Sequence, residues 1–236
     1  MDYKEHYRQD ALVFDYFRRE RLTPGEIRRT QYTLSLCEIR PGMRVLDVGS
    51  GRGWFSLAAA KLGAEVTALD LSEENLDRIK RENPSIRTVC ADACAIPDMG
   101  KFDLIVTLEV LEHLIEPELA LRSILERLSL DGTLLVTVPY KEVIRYSLCI
   151  HCNKKTPMNA HLHSFDRESL SALLVKSGFR TKATKRFYHR ALELFKINAL
   201  CRRFPLGLWK ILDRLAGISG DRYSYLAIKS CPGIQR

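Results

Sequence analysis

Val45-Leu46-Asp47-Val48-Gly49-Ser50-Gly51-Arg52-Gly53 is an apolar strand running into a glycine-rich turn, and Trp54 to Leu62 behind it reads as a helix. Glycines in such a turn let the backbone adopt conformations closed to other residues and come close to a ligand, while the helix N-terminus presents free amides. The expectation is a ligand site at this strand end. The glycines run Gly49-x-Gly51-x-Gly53, and Trp54 stands where the dinucleotide fingerprint needs its third glycine. Asp47, two residues ahead of Gly49, would repel a pyrophosphate and suits a ligand with a cationic centre or with hydroxyl and amine donors.

Outward from this turn the chain alternates. Strands are expected at Glu65 to Leu69, Ile86 to Cys90, Phe102 to Leu108 and Thr133 to Val138, with helices at Glu73 to Glu82, capped by Ser72, and at Pro117 to Leu128. Alternation with wholly apolar strands such as Leu104-Ile105-Val106 predicts a parallel sheet covered on both faces. Ahead of it lie two helices, residues 4–20 and a second opening at Thr23-Pro24-Gly25-Glu26, a capping sequence with proline at the first helical position. Beyond Pro139 the rhythm changes. A polar loop from about Lys141 to Ser164 precedes a helix, Arg167 to Ser177, capped by Asp166. Gly178 to Tyr188 and Ser224 to Ser230 read as a closing pair of strands, separated by a basic amphipathic stretch, Ala191 to Gly217, broken at Pro205.

The chain has 236 residues, 46% of them hydrophobic and 28% charged, which excludes a disordered or low-complexity protein and suffices for one large domain with appendages. Met1 to Arg8 is charged with no apolar run behind it, unlike a secretory leader, and the longest apolar run, Gly132 to Pro139, is strand-sized. Seven cysteines, five of them (Cys37, Cys90, Cys94, Cys201 and Cys231) without recognisable spacing, point to a reducing compartment. The expected location is the cytoplasm. Residues 176–236 hold 14 Lys and Arg against 3 Asp and Glu, so this segment carries +11 of a total of +8 and the rest is slightly acidic. Such asymmetry predicts an anionic partner for the basic segment.

Asp70 closes the second strand and Asp92, beside Ala93, follows the third, so three acids stand at three successive strand ends with Asp47. Together with D-x-G-x-G-x-G, this resembles the class I S-adenosylmethionine-dependent methyltransferases over about residues 40–190 and the last strand. The resemblance implies a doubly wound, mostly parallel, seven-stranded α/β sheet of Rossmann-like type. Changes of pattern along the chain divide it into four parts: a helical cover (1–40), the cofactor-binding core (41–190), a basic helical cap insertion (191–222) where the family has a short hairpin, and the last strand with the C-terminus (223–236). The resemblance also implies a cofactor site of Asp47, Gly49, Ser50, Gly51, Gly53, Asp70, Leu71, Asp92, Ala93 and Glu109. In it Asp70 would take the ribose hydroxyls and Asp92 the adenine amine. Thr107-Leu108-Glu109-Val110-Leu111-Glu112-His113 resembles the E-V-L-E-H segment of methyltransferases similar to those of ubiquinone and menaquinone biosynthesis. In the O-methyltransferases of ubiquinone synthesis the positions matching Glu109, Glu112 and His113 can hold a divalent metal, while many relatives with this segment need none; a helix-start acid with a buried, hydrogen-bonded histidine is the plainer alternative.

Two further features stay open. Cys149-x2-Cys152 with His161-x-His163 offers two thiolates and two imidazoles for a structural zinc, although H-x-H points its two side chains to opposite faces; the alternative is a pair of reduced cysteines covering the sheet end. The same loop borders the acceptor side, so His161 and His163 join His113 as candidate catalytic bases. The basic insertion is expected first as a substrate cap, second as a peripheral membrane contact and third as a nucleic-acid contact. The expected activity is methyl transfer from S-adenosylmethionine to a small-molecule, lipid or quinone-like acceptor, at oxygen or carbon. The alternatives are a non-catalytic binder of the same ligand and a methyltransferase of RNA or protein.

Overall fold

The computed structural model describes residues 3–13, 23–194, 197 and 204–233. Its elements are α1 (Tyr3–Val13), α2 (Pro24–Cys37), β1 (Arg44–Val48), α3 (Trp54–Lys61), β2 (Glu65–Asp70), α4 (Glu73–Glu82), β3 (Arg87–Cys90) and β4 (Phe102–Leu108). They continue with α5 (Pro117–Arg127), β5 (Leu128–Pro139), β6 (Tyr146–Leu148), β7 (Lys155–Pro157), α6 (Arg167–Lys176) and β8 (Phe179–His189). The last three are α7 (Arg190–Leu194), α8 (Leu206–Ala216) and β9 (Tyr223–Pro232).

Seven strands form one sheet in the order β3-β2-β1-β4-β5-β9-β8, parallel from β3 to β5, with β9 antiparallel to both of its neighbours. The expected sheet is therefore present. Because successive strand residues face opposite sides, β1 sends Val45 into one core and Leu46 and Val48 into the other. On Val45's side lie Phe55 and Ala59 of α3, Leu76 and Ile79 of α4, and Tyr32 of α2. On the opposite side lie Leu121 and Ile124 of α5 with Leu170 and Leu174 of α6. Burial on both faces is why these strands are continuous apolar runs.

The expected caps are formed. Thr23 and Glu26 exchange hydrogen bonds in a capping box, Ser72 accepts from the Asn75 amide, and Asp166 and Ser169 close a second box. Two elements differ from expectation. β5 starts at Leu128, directly after α5, and slips in register between Phe102 and Leu104. The polar loop after β5 contains a short hairpin, β6 with β7, which pairs only with itself. The expected helix over 4–20 is described as far as Val13. Residues 14–22 lie outside the described residues, as do Phe195, Lys196, Leu200, Cys201, Arg202 and Arg203 of the basic insertion.

Candidate active site

A cavity of about 870 Å³ opens at the carboxyl ends of β1 to β4. The strand order reverses between β1 and β4, so the connections leave in opposite directions and a crevice opens between them. The turn after β1 forms one wall through Gly49, Ser50, Gly51 and Arg52. Gly49 has φ +72°, and a Cβ there would lie 2.5 Å from Val110 Cγ2. At Gly53, which precedes α3, a Cβ would lie 2.5 Å from Ile79 Cγ1. A Cβ on Gly51 would meet nothing within 4 Å, so its space belongs to the cavity.

Two of the expected cofactor residues stand behind this wall. Gly53 is absent from the lining and serves the packing of α3 on α4. Asp47 is also absent from it; its buried carboxylate accepts a hydrogen bond from Ser56 Oγ at 2.7 Å. Burial pushes its pKa up to about 7, although the Ser56 hydroxyl favours the charged form. Asp47 thus ties the strand before the turn to the helix after it. It positions the wall from behind.

Asp70, Leu71, Asp92 and Ala93 line the cavity as expected, and Asn75, which the sequence did not single out, joins them. Asp70 accepts from the Gly51 amide at 2.8 Å through one oxygen and from the Ser72 amide at 3.0 Å through the other. Burial raises its pKa and these amides pull it back. Asp92 accepts from the Cys94 amide and pairs with Lys4 Nζ of α1 at 2.7 Å. α1 also lays His6, Tyr7, Asp10 and Ala11 on the cavity.

Glu109 and His113 form the far wall. Glu109 has φ 58°, the left-handed region that a residue with a Cβ rarely adopts. Its Oε1 accepts from Thr137 Oγ1 at 2.8 Å. Burial raises its pKa above the usual carboxylate range, against the pull of the nearby Arg29 guanidinium and Thr137. Arg29 itself donates to Tyr225 Oη at 3.2 Å and lies over the Trp54 and Tyr225 rings. Glu112 is fully buried, and neither carboxylate oxygen has a hydrogen-bond partner among the described residues. Burial first, and the Glu109 charge second, raise its pKa well above the usual value.

His113 Nδ1 lies 2.5 Å from Tyr7 Oη, and its ring stands edge-on to the His161 ring with centroids 4.6 Å apart. Burial, then the neighbouring His161, push its pKa down to about 4, so it is neutral at neutral pH. His161 Nδ1 pairs with Glu142 Oε2. One carboxylate oxygen of Glu112 and one ring nitrogen each of His113 and His161 lie within 4.8 Å of one another. The cause is a backbone clasp: the amides of Leu162 and His163 both donate to the Glu112 carbonyl, at 2.7 and 3.2 Å.

The clasp aims His161 and His163 in different directions. His163 Nε2 donates to the Leu114 carbonyl at 2.8 Å, and neither His163 nor His161 lines the cavity. Cys149 and Cys152 sit in the turn of the β6–β7 hairpin, away from both histidines. The two cysteines keep each other's company: the Cys152 and His151 amides and the Cys152 thiol hold the Cys149 pKa below the usual thiol value. The expected zinc set of Cys149, Cys152, His161 and His163 is therefore not assembled: neither cysteine groups with a histidine, His161 stands with Glu112 and His113, and His163 is held by Leu114. Of the expected substrate cap, no described residue of 190–222 lines the cavity. The cover comes from α1 and from Ser147, Thr156, Pro157, Met158 and Asn159 of the hairpin region. Sequence reasoning also missed Tyr7, Arg29, Thr137 and Glu142, which carry no motif and reach the site only through folding.

A family described as "Methyltransferase domain" matches residues 14–184. The chain is 34% identical over 116 residues to the ubiquinone biosynthesis O-methyltransferase of Xanthomonas campestris pv. campestris (strain B100), covering 47% of this chain and 48% of that protein. It is 34% identical over 101 residues to the protein of the same name from Caulobacter sp. (strain K31), covering 40% of each. The matched region thus spans about half the length or less of these relatives. Among solved structures, magnesium protoporphyrin IX methyltransferase from Synechocystis PCC 6803, with bound SAH, superposes with a TM-score of 0.65 at 15% identity, over 98% of this chain and 100% of that one. The [4+2]-cyclase SpnF superposes with a TM-score of 0.63 at 20% identity, over 89% and 82%.

Proposed function

From the premise that this chain belongs to the class I S-adenosylmethionine-dependent methyltransferases, we propose that it transfers a methyl group to a ring hydroxyl of a small, quinone-like or lipid-tailed acceptor. One observation carries the reading: acids at the ends of β2 and β3 share a single cavity with Glu109 and His113 across from them. One side is suited to hydroxyl and amine donors, the other to proton transfer.

Asp70 keeps lone pairs beyond the two amides it accepts and would take the ribose hydroxyls, while Asp92 and Ala93 would border the adenine. When bound, S-adenosylmethionine would supply a methyl group on a positively charged sulfur, open to in-line displacement by an acceptor oxygen. Glu109, in the charged form, favours a cation beside it and accepts the proton that the hydroxyl loses. Its raised pKa makes it a better base than an ordinary carboxylate. Tyr7 fixes the His113 ring, and α1 with the hairpin keeps water from the reacting atoms.

The metal reading for Glu109, Glu112 and His113 becomes, on this geometry, Glu112, His113 and His161, with Glu109 held by Thr137. The Glu112 carboxylate, without a hydrogen-bond partner among the described residues, and two imidazoles fit a divalent transition ion, which would polarise an acceptor oxygen. The test is calorimetry with S-adenosylmethionine and S-adenosylhomocysteine, followed by labelled-methyl transfer to polyprenylated catechols, RNA and protein fractions, each before and after chelation. Binding with transfer to the catechols is the expected result. Transfer only to RNA or protein overturns the acceptor reading; binding without any transfer overturns catalysis. Activity unchanged by chelation, in protein that carries no metal, ends the metal reading.

A further inference from the structure

We propose that the outward face of α8 is a docking surface for an anionic lipid bilayer. The inner face of α8 is anchored to the body. Asp213 pairs with Arg28 of α2 at 2.5 Å and accepts from the Tyr188 and His189 amides at 3.2 and 2.7 Å, and Trp209 is buried beneath Arg28. This fixes which residues face outward. Ile211, then Arg214 and Leu215 one turn on, then Ile218 beyond the helix end, stand on the opposite side and are exposed, while Lys210 is exposed at the flank, its Nζ 5.2 Å from the Tyr32 ring centroid of α2. Ile211 is 54% exposed, Leu215 56% and Ile218 82%.

An ordinary solvent-facing helix presents polar residues there. Three large aliphatic side chains in one stripe, with Arg214 among them and Lys210 at the flank, is the pattern of helices that lie in a membrane interface. The surrounding segment, residues 176–236, carries +11 in a chain of +8, which complements anionic headgroups. Nucleic acid fits less well, because the exposed groups between the cations are aliphatic and offer no ring for a base to stack on, while Trp209 is buried. A second copy fits less well too, since the stripe offers a facing copy only aliphatic groups and cations, with no acid for Lys210 or Arg214 to meet.

The insertion also leaves the sheet beside the cavity. Pro139 at the end of β5 pairs with Tyr225, and His189 at the end of β8 pairs with Tyr223, so α8 emerges from the carboxyl edge that carries the site. The β6–β7 hairpin leaves the same edge and exposes Leu148 and Ile150 next to Lys154 and Lys155. Docking through this edge brings the cavity to the lipid surface, and the inference holds whichever acceptor is methylated. No described helix is long and apolar enough to cross a membrane, so the contact is peripheral.

The test is flotation of the full chain with phosphatidylcholine vesicles and with vesicles also containing phosphatidylglycerol, at low and high salt. The expected result is association with the anionic vesicles only, weakened by salt. Ile211→Asp with Leu215→Asp should lower it at least about tenfold without lowering the melting temperature, because both positions are exposed. As a second readout, the emission of Ile218→Trp should shift to the blue when anionic vesicles are added. No flotation with the anionic vesicles, flotation unchanged by the double substitution, or no emission shift overturns the inference. So does tRNA binding without vesicle binding, or a dimer that the double substitution dissociates in the absence of vesicle binding.

Discussion

At the residue scale, Glu109 holds an unfavourable backbone, at φ 58°, and a carboxyl that burial makes costly to ionise. Neither serves stability, and such strain persists where a reaction uses it. Glu109→Gly should therefore raise stability by about 1 kcal/mol in chemical denaturation while lowering methyl transfer at least about a hundredfold. Glu109→Gln should lose the activity without the stability gain. In the wild type, transfer should increase with pH above the ordinary carboxylate range as Glu109 ionises, and a rate independent of pH there would count against its role as base. Asp47 gives a separate pH effect. Its pKa is raised from 3.8 to about 7, so the native state holds a proton that the unfolded chain releases first. This group makes stability fall as pH rises through that window, by up to about 1.4 kcal/mol per unit, and level off above it. Asp47→Asn, whose amide oxygen still accepts from Ser56, should flatten that fall in thermal melts recorded across the window.

At the element scale, the insertion after β8 depends on Asp213, a charge inside α8 that meets Arg28 of α2 with both side chains almost fully buried. Arg28 also lies between the rings of Tyr188 and Trp209, at 4.7 and 4.3 Å. Removing one partner leaves a buried, uncompensated charge, so Arg28→Ala should cost about 3 to 5 kcal/mol. Asp213→Ala should cost a similar amount, because two amides lose their acceptor as well. The double variant should be far less destabilised than the sum, a coupling that urea denaturation of the four proteins measures directly. Simple additivity would mean that the two residues act separately. This junction commits the buried face of α8 to α2 and β8.

At the scale of the whole molecule, what was legible was whatever rests on local pattern. The run Val45 to Gly53, the apolar strands and the caps at Thr23, Ser72 and Asp166 fixed the layers, since periodicity and capping are read within a few residues. Asp70, Leu71, Asp92, Ala93, Glu109 and His113 were legible because strand ends in such a sheet converge on one edge. That Asp47 and Gly53 do not line the cavity was not legible for a subtler reason: sequence puts one at the strand end and the other at the close of the turn, but not on one side of the wall. The cluster of Glu112, His113 and His161 depends on the clasp onto the Glu112 carbonyl, and no spacing rule reports a backbone contact between residues so far apart. The fold itself cannot decide the chemistry, since a [4+2]-cyclase shares it. Ligand linkage can decide the place. S-adenosylmethionine at a hundred times its dissociation constant should add about 2.7 kcal/mol, which for a chain of this size raises the melting temperature by about 5 to 10 °C. Gly51→Val fills space that is open in the free protein, so it should leave a folded protein, lowered only by its strain at φ +49°, and abolish the ligand's shift. Asp70→Asn should reduce the shift without removing it, because the amide oxygen still accepts one hydroxyl. A full shift in Gly51→Val would put the ligand somewhere other than the crevice between β1 and β4.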